Sequence, residues 1–231
     1  MDNPTDTNEL LKNLASESVK QGENLRVKVR ELTLNALRAR ELSLTEVKQV
    51  LNSVTEGINL GAAKGKLDSP KVLEDALAGM DDALLKAAQA NHIALKQLAS
   101  AGQSFSEQHM KSALDDLERL EDAFLKTVKE AAGRGSEQLK QQWAGVLQRR
   151  ETAGTETGGQ IAATMEEFGA RMQSTLREQR RAMLKTAQVL TDNFATLASG
   201  ILTGLTEGLQ QSKGSTAHGT KKEGPGKTDK A

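Results

Sequence analysis

The sequence predicts an all-α protein, an elongated bundle of long amphipathic helices with coiled-coil character and a disordered C-terminal tail. Three observations carry that expectation. Ala, Leu, Gln, Glu, Lys and Arg, the residues that favour helix, dominate the chain. Proline stands only at positions 4, 70 and 225, so no proline interrupts helical hydrogen bonding between 71 and 224. Apolar residues recur at spacings of three and four over most of the length, the period of a half-buried helix. Only 2% of the 231 residues are aromatic and 37% are hydrophobic, so the seams between helices should be thin and aliphatic.

The elements follow in order. A first helix is expected from about Asp6 to Arg40, with Leu10, Leu11, Leu14, Leu25, Val29, Leu32 and Ala36 on its periodic positions. Within it, Leu25 to Arg30 also alternates with period two, as a strand does, but no other segment offers that strand a neighbour. Ser43 and Glu46 then form a capping box, and Leu42 with Val47 a hydrophobic staple, which together mark a helix start. Val47, Val50, Leu51, Val54 and Ile58 give that helix its stripe before Gly61 and Gly65 loosen its end. Asp68-Ser69-Pro70 reads as a cap with proline in the next first turn.

The helix after Pro70 carries a helix-pairing seam in alternating steps of four and three: Leu73, Leu77, Met80, Leu84, Ala87, Asn91, Ala94, Leu98, Ala101 and Phe105. Such spacing keeps one edge facing a partner helix. Asn91 either fixes register there or turns to solvent after a slight roll. Gly102, Ser104 and Glu107 mark a kink or a hairpin, and Met110, Leu114, Leu117, Phe124, Val128 and Ala131 continue the stripe. A shorter helix over about 137–150 holds Leu139, Trp143, Val146 and Leu147, and Ala153 to Gly159 reads as a loop. These signals divide the chain into an N-terminal helical hairpin (1–66), a central long-helix region (67–150), a C-terminal amphipathic helix (151–211) and a tail (212–231). The tail has no large apolar side chain.

From Gln160 to about Gln211 only glycine interrupts the helical pattern, and an unbroken helix would run about 75 Å. Its apolar stripe comprises Ile161, Met165, Phe168, Met172, Leu176, Met183, Leu190, Phe194, Ile201, Leu205 and Leu209. The columns repeat every eleven residues, as in Ile161, Met172, Met183, Phe194 and Leu205, so the stripe runs nearly straight along an unsupercoiled helix. A straight stripe suits a flat partner. Burying it is worth on the order of 15–30 kcal/mol before ordering costs. Either the first helices of the same chain cover it or an external surface does. It does not span a membrane, because the uncharged run from Asn193 to Thr206 is shorter than the roughly 20 residues that a crossing needs. Glycines recur every fourth residue at Gly57, Gly61 and Gly65 and at Gly200, Gly204 and Gly208, a pattern that lets backbones approach closely.

The chemistry of an active site is not legible. The chain has no cysteine, its three histidines (His92, His109, His218) stand apart, and no metalloprotease, phosphate-loop or nucleophile-elbow pattern occurs. Asp81-Asp82 and Asp115-Asp116-Glu118 read as solvated faces supporting helical ion pairs such as Asp82 with Lys86 and Asp115 with Arg119. No catalytic, cofactor or metal residue is assigned. A net charge of zero argues against nucleic acid as a partner. Acidic residues outnumber basic ones over 68–130, while Arg171, Arg177, Arg180, Arg181 and Lys185 stand against Glu178 alone, a distribution that either favours pairing between helices or is a solvated face of uneven composition. Met1 to Asp6 lacks the basic and apolar regions of a secretory signal, so cytoplasmic residence is expected.

The cysteine-free, aromatic-poor helical body, the Met/Leu/Phe stripe of 161–209 and the Gly/Lys/Thr tail of 212–231 resemble bacterial phasins. The resemblance implies a non-enzymatic helical protein that coats polyhydroxyalkanoate granules and oligomerises through coiled-coil segments. The glycine columns and the Ser43 to Gly65 segment depart from that likeness and leave room for a separate helical family. The expected function is therefore surface coating or scaffolding with granule association. A coiled-coil adaptor between proteins is the alternative, and a stress-protective helical protein the second alternative. The expected partners are further copies of the chain and a polyester or lipid surface.

Overall fold

A computed structural model of the chain describes residues 4–40, 42–64, 69–100, 107–175 and 197–205. The described residues form α1 (Pro4–Gln21), α2 (Leu25–Arg38), α3 (Leu44–Lys64), α4 (Ser69–Ser100), α5 (Glu107–Ala132), α6 (Glu137–Ala153) and α7 (Glu156–Thr175), with a further helical stretch at 197–205. Among them there is no strand. The fold is all-α.

The first expected helix is two. Gly22 and Asn24 both adopt positive φ, 68° and 53°, which Gly and Asn tolerate better than other residues, and the chain reverses there. Arg40, just past α2, donates to Asn8 Oδ1 in α1 at 2.7 Å, which places α2 antiparallel to α1. The segment before residue 66 thus holds three helices rather than a two-helix hairpin. The period-two run is helical: Leu25 and Val29 point into the core from α2 while Val27 is exposed. The start of α3 is as the sequence predicts, with Glu46 N donating to Ser43 Oγ at 3.2 Å and Val47 buried. The Glu46 carboxylate turns to Arg40 instead, at 3.2 Å.

Alternate helices are the principal neighbours: α1 packs on α3, α2 on α4 and α3 on α5. Glycine sets the closest of these seams. A Cβ on Gly61 would lie 2.6 Å from both Ser16 O and Val19 Cβ, and one on Gly57 would lie 2.6 Å from Ala15 Cβ. These contacts climb α1 and α3 together, so the two helices are parallel. Gly79 brings α4 equally close to α2, where a Cβ would meet Arg26 O at 2.5 Å. The fourth-residue column in α3 is therefore a packing device inside the bundle. Asp82 of α4 accepts two hydrogen bonds from the Arg26 guanidinium at 2.7 Å across that seam, in place of a pairing with Lys86.

One apolar cluster joins the helices, from Leu11 in α1 to Leu202 in the last stretch. α4 is its hub, touching α2, α3, α5, α6 and α7. Asn59 ties three elements together inside the cluster: Trp143 Nε1 of α6 donates to Asn59 Oδ1 at 2.8 Å, and Asn59 Nδ2 donates to Ala131 O of α5 at 3.0 Å. Both polar ends of a buried pair are thus satisfied, as burial requires.

Candidate functional site

The seam on α4 divides in two. Leu73, Leu77, Met80 and Leu84 are buried within the chain, and Met80 Sδ lies 3.8 Å from Thr55 Oγ1 of α3. Asn91 and Leu98 are only half-buried, and Phe105 lies outside the described residues. Beyond Leu84 the buried line passes through Ala87, Ala90, Ala94 and Leu95. A seven-residue repeat drifts about 20° per heptad on a straight helix, so a seam written in sevens rolls off the buried face. The seam nevertheless stays buried at Ala87 and Ala94, so Asn91 is a half-buried polar position between buried seam residues, and the roll shows only at Leu98.

The stripe of the C-terminal helix is also turned inward where it is described. Ile161 and Phe168 are buried, and Met165 is half-buried against the cluster. At 197–205, Ile201 and Leu205 pack against the same cluster, flanking the fully buried Ala198 and Leu202. The side chains of Met172, Leu176, Met183, Leu190, Phe194 and Leu209 lie outside the described residues, as does the tail from 212.

The joint between α4 and α7 is the feature that sequence reasoning missed. The expected loop over 153–159 closes early, because α7 begins at Glu156 with Gly158 and Gly159 in its first turn. Thr155 caps it: Gly158 N donates to Thr155 Oγ1 at 2.8 Å, and that hydroxyl donates to Glu121 Oε1 of α5 at 2.6 Å. Asp81 of α4, 1% exposed, supplies the rest of the cap. It accepts from Glu156 N at 2.9 Å and from Thr157 N at 3.1 Å, while Thr157 Oγ1 donates to Asp81 O at 3.1 Å. A carboxylate aligned with the unpaired N–H groups of a helix start is favoured by their partial positive charge. Asp81 is accordingly a buried inter-helix cap and not part of a solvated face. The T-x-x-G spacing of Thr155 and Gly158 is a signal for the cap itself; nothing in the sequence names Asp81 as its second acceptor.

Farther along, His92 of α4 stands over α7. Its Nδ1 lies 3.1 Å from Thr164 Oγ1, its Nε2 3.4 Å from Glu167 Oε2, and its ring meets Phe168 edge to face at 5.8 Å. Thr164 Oγ1 donates to Gln160 O at 2.8 Å, which leaves it an acceptor for the imidazole N–H. Lys96 reaches the same Glu167 oxygen at 3.3 Å. Burial lowers the His92 pKa, the Lys96 charge lowers it further, and Glu167 opposes both. Among the described residues no group of three or more His, Asp or Glu side chains is placed to hold a metal ion, and no helix is long and apolar enough to cross a membrane.

The geometry defines an all-helical protein whose polar chemistry sits at helix junctions. The chain belongs to the family described as Family of unknown function (DUF6781), which it matches over residues 1–211. That match ends where the Gly/Lys/Thr composition of the tail begins. No curated protein matches the chain, and no solved structure does.

Proposed function

We propose that the protein is a non-enzymatic helical scaffold that attaches to an apolar surface, a polyester granule being the sharpest version. The observation that carries this reading is on α1. Leu10 and Leu14, one turn apart, are 59% and 46% exposed, while Leu11, Ala15 and Val19 are buried and Ala15 and Val19 meet the glycines of α3. Among the described elements α1 packs on α3 and, less closely, on α2, and the face that carries Leu10 and Leu14 is left exposed. Single exposed leucines are ordinary; two in register on an edge helix make an apolar stripe that water disfavours.

The test is adsorption of the whole chain to polyhydroxyalkanoate particles, with Leu10→Glu/Leu14→Glu beside the parent. The parent should co-sediment with the particles and the double variant should lose most of that binding with its helicity intact, because neither side chain belongs to the core. A parent that stays in the supernatant, or a variant that binds as well as the parent, would overturn the reading. Binding of the parent to a protein instead of to particles would favour the adaptor.

A further inference from the structure

We infer that α7 is a latched arm, held to α4 by the Asp81 cap and hinged at Gly154, and that its opening uncovers the apolar positions Ile161 and Phe168. The surface reading above supplies what the uncovered face would meet; the latch itself stands apart from it.

The inner face of α7 differs from that of its neighbours. Along 47–58 α3 buries five large aliphatic side chains, Val47, Val50, Leu51, Val54 and Ile58, beside Ser53, Thr55 and Gly57. Along 156–168 the buried positions of α7 are Thr157, Ile161, Thr164 and Phe168, with Met165 half-buried against the cluster, and Thr155 is buried just before the helix. Three of those five buried residues are threonines: Thr155 Oγ1 donates to Glu121 of α5, Thr157 Oγ1 donates to Asp81 O of α4, and Thr164 Oγ1, which donates to Gln160 O within α7, meets His92 Nδ1 of α4 at 3.1 Å. Apolar burial has no substitute in water, whereas each of these polar groups finds a water molecule when the helix lifts. Segments held chiefly by exchangeable polar contacts open at lower free energy than the core they rest on.

The joint permits the motion. Only Gly154 and Thr155 separate α6 from α7, and Gly154 has φ 80° with nothing within 4 Å of where a Cβ would stand. Glycine is required there by backbone conformation and not by packing, and the space around it is open to rotation. Asp81 is the keystone of the closed state. It is nearly inaccessible, and its carboxylate holds the first two N–H groups of α7, so the arm cannot lift without releasing it.

Amide hydrogen exchange on the full chain tests this, comparing the parent with Asp81→Ala and with Asp81→Asn, which keeps one acceptor oxygen. Exchange over 156–168 should accelerate about tenfold in Asp81→Ala and less in Asp81→Asn, with α3 unchanged. Equal acceleration in α3 and α7, or none in α7, would overturn the latch. Adsorption of Asp81→Ala to polyhydroxyalkanoate particles should rise several-fold. If α7 loosens alone and adsorption does not rise, the latch stands and the uncovered face of α7 is excluded as the surface contact. Should Asp81→Ala fail to fold, Lys96→Cys/Glu167→Cys gives the converse, because the parent has no cysteine and these two side chains face each other across the joint. Bridging the pair with a short bis-maleimide should slow exchange over 156–168 about tenfold relative to the unbridged pair, and unchanged exchange would overturn the arm.

Discussion

At the scale of single residues, the polar groups inside the bundle decide more than their number implies. Trp143 and Asn59 satisfy each other at 2.8 Å in a site where water has almost no access. Trp143→Phe should therefore destabilise the fold by about 1–3 kcal/mol through the lost acceptor contact alone, with a cavity cost added. Urea denaturation checks this, and a midpoint unchanged from the parent would show that Asn59 finds another donor. His92 sets a pH dependence with a definite sign. Its folded pKa lies below its ordinary value of about 6.5, first because of burial and then because of Lys96, with Glu167 only partly compensating. The unfolded chain then takes up the proton more readily than the folded one. Stability is full above that ordinary value and falls as pH drops below it. Between pH 7.5 and pH 5.5 the parent should lose melting temperature, and His92→Asn should lose less; parallel curves would assign the loss to other groups.

At the scale of elements, glycine does opposite things in two columns with the same spacing. Gly57→Ala pushes a methyl into Ala15 and the backbone of Lys12, neither of which can yield cheaply, and should cost about 1–3 kcal/mol. Gly200→Ala meets nothing within 4 Å and gains helix propensity, so it should be neutral or stabilising by up to about 1 kcal/mol. Thermal melts of the two variants separate these outcomes, and a destabilising Gly200→Ala would mean that its face is packed. The sequence made the helices themselves legible, because periodicity and the Ser43 box are local signals. It did not reveal the reversal at Gly22 and Asn24, where the apolar spacing continues across the break from Leu14 to Leu25 and hides it. Nor did it reveal the early start of α7, since two glycines in a first turn read as loop until Asp81 arrives from another helix to hold them. The seam on α4 was legible as far as Ala94, with Asn91 half-buried inside it, and the drift of sevens against 3.6 accounts for its fading at Leu98.

At the scale of the whole molecule, the described part of the stripe and most of the described seam serve the chain's own core, so those positions offer no outward apolar surface in the closed bundle. Among the described residues the exposed large apolar side chains are Leu10, Leu14, Val27 and Leu60, of which Leu10 and Leu14 stand one turn apart on one helix. The candidate site was legible as a list of apolar positions but not as an arrangement, because which face of an amphipathic helix meets its own chain depends on neighbours that periodicity does not name. The proposed attachment runs through apolar area, and it should therefore be insensitive to the ionic screening that weakens binding through charge. The most direct measurement is adsorption of the whole chain to a polyhydroxyalkanoate film on a quartz microbalance, from low salt to 1 M sodium chloride, with a hydrophilic silica film alongside. Saturable adsorption to the polyester that persists at 1 M salt, with little on silica, is the predicted result; absence of adsorption, or adsorption that salt abolishes, would contradict it.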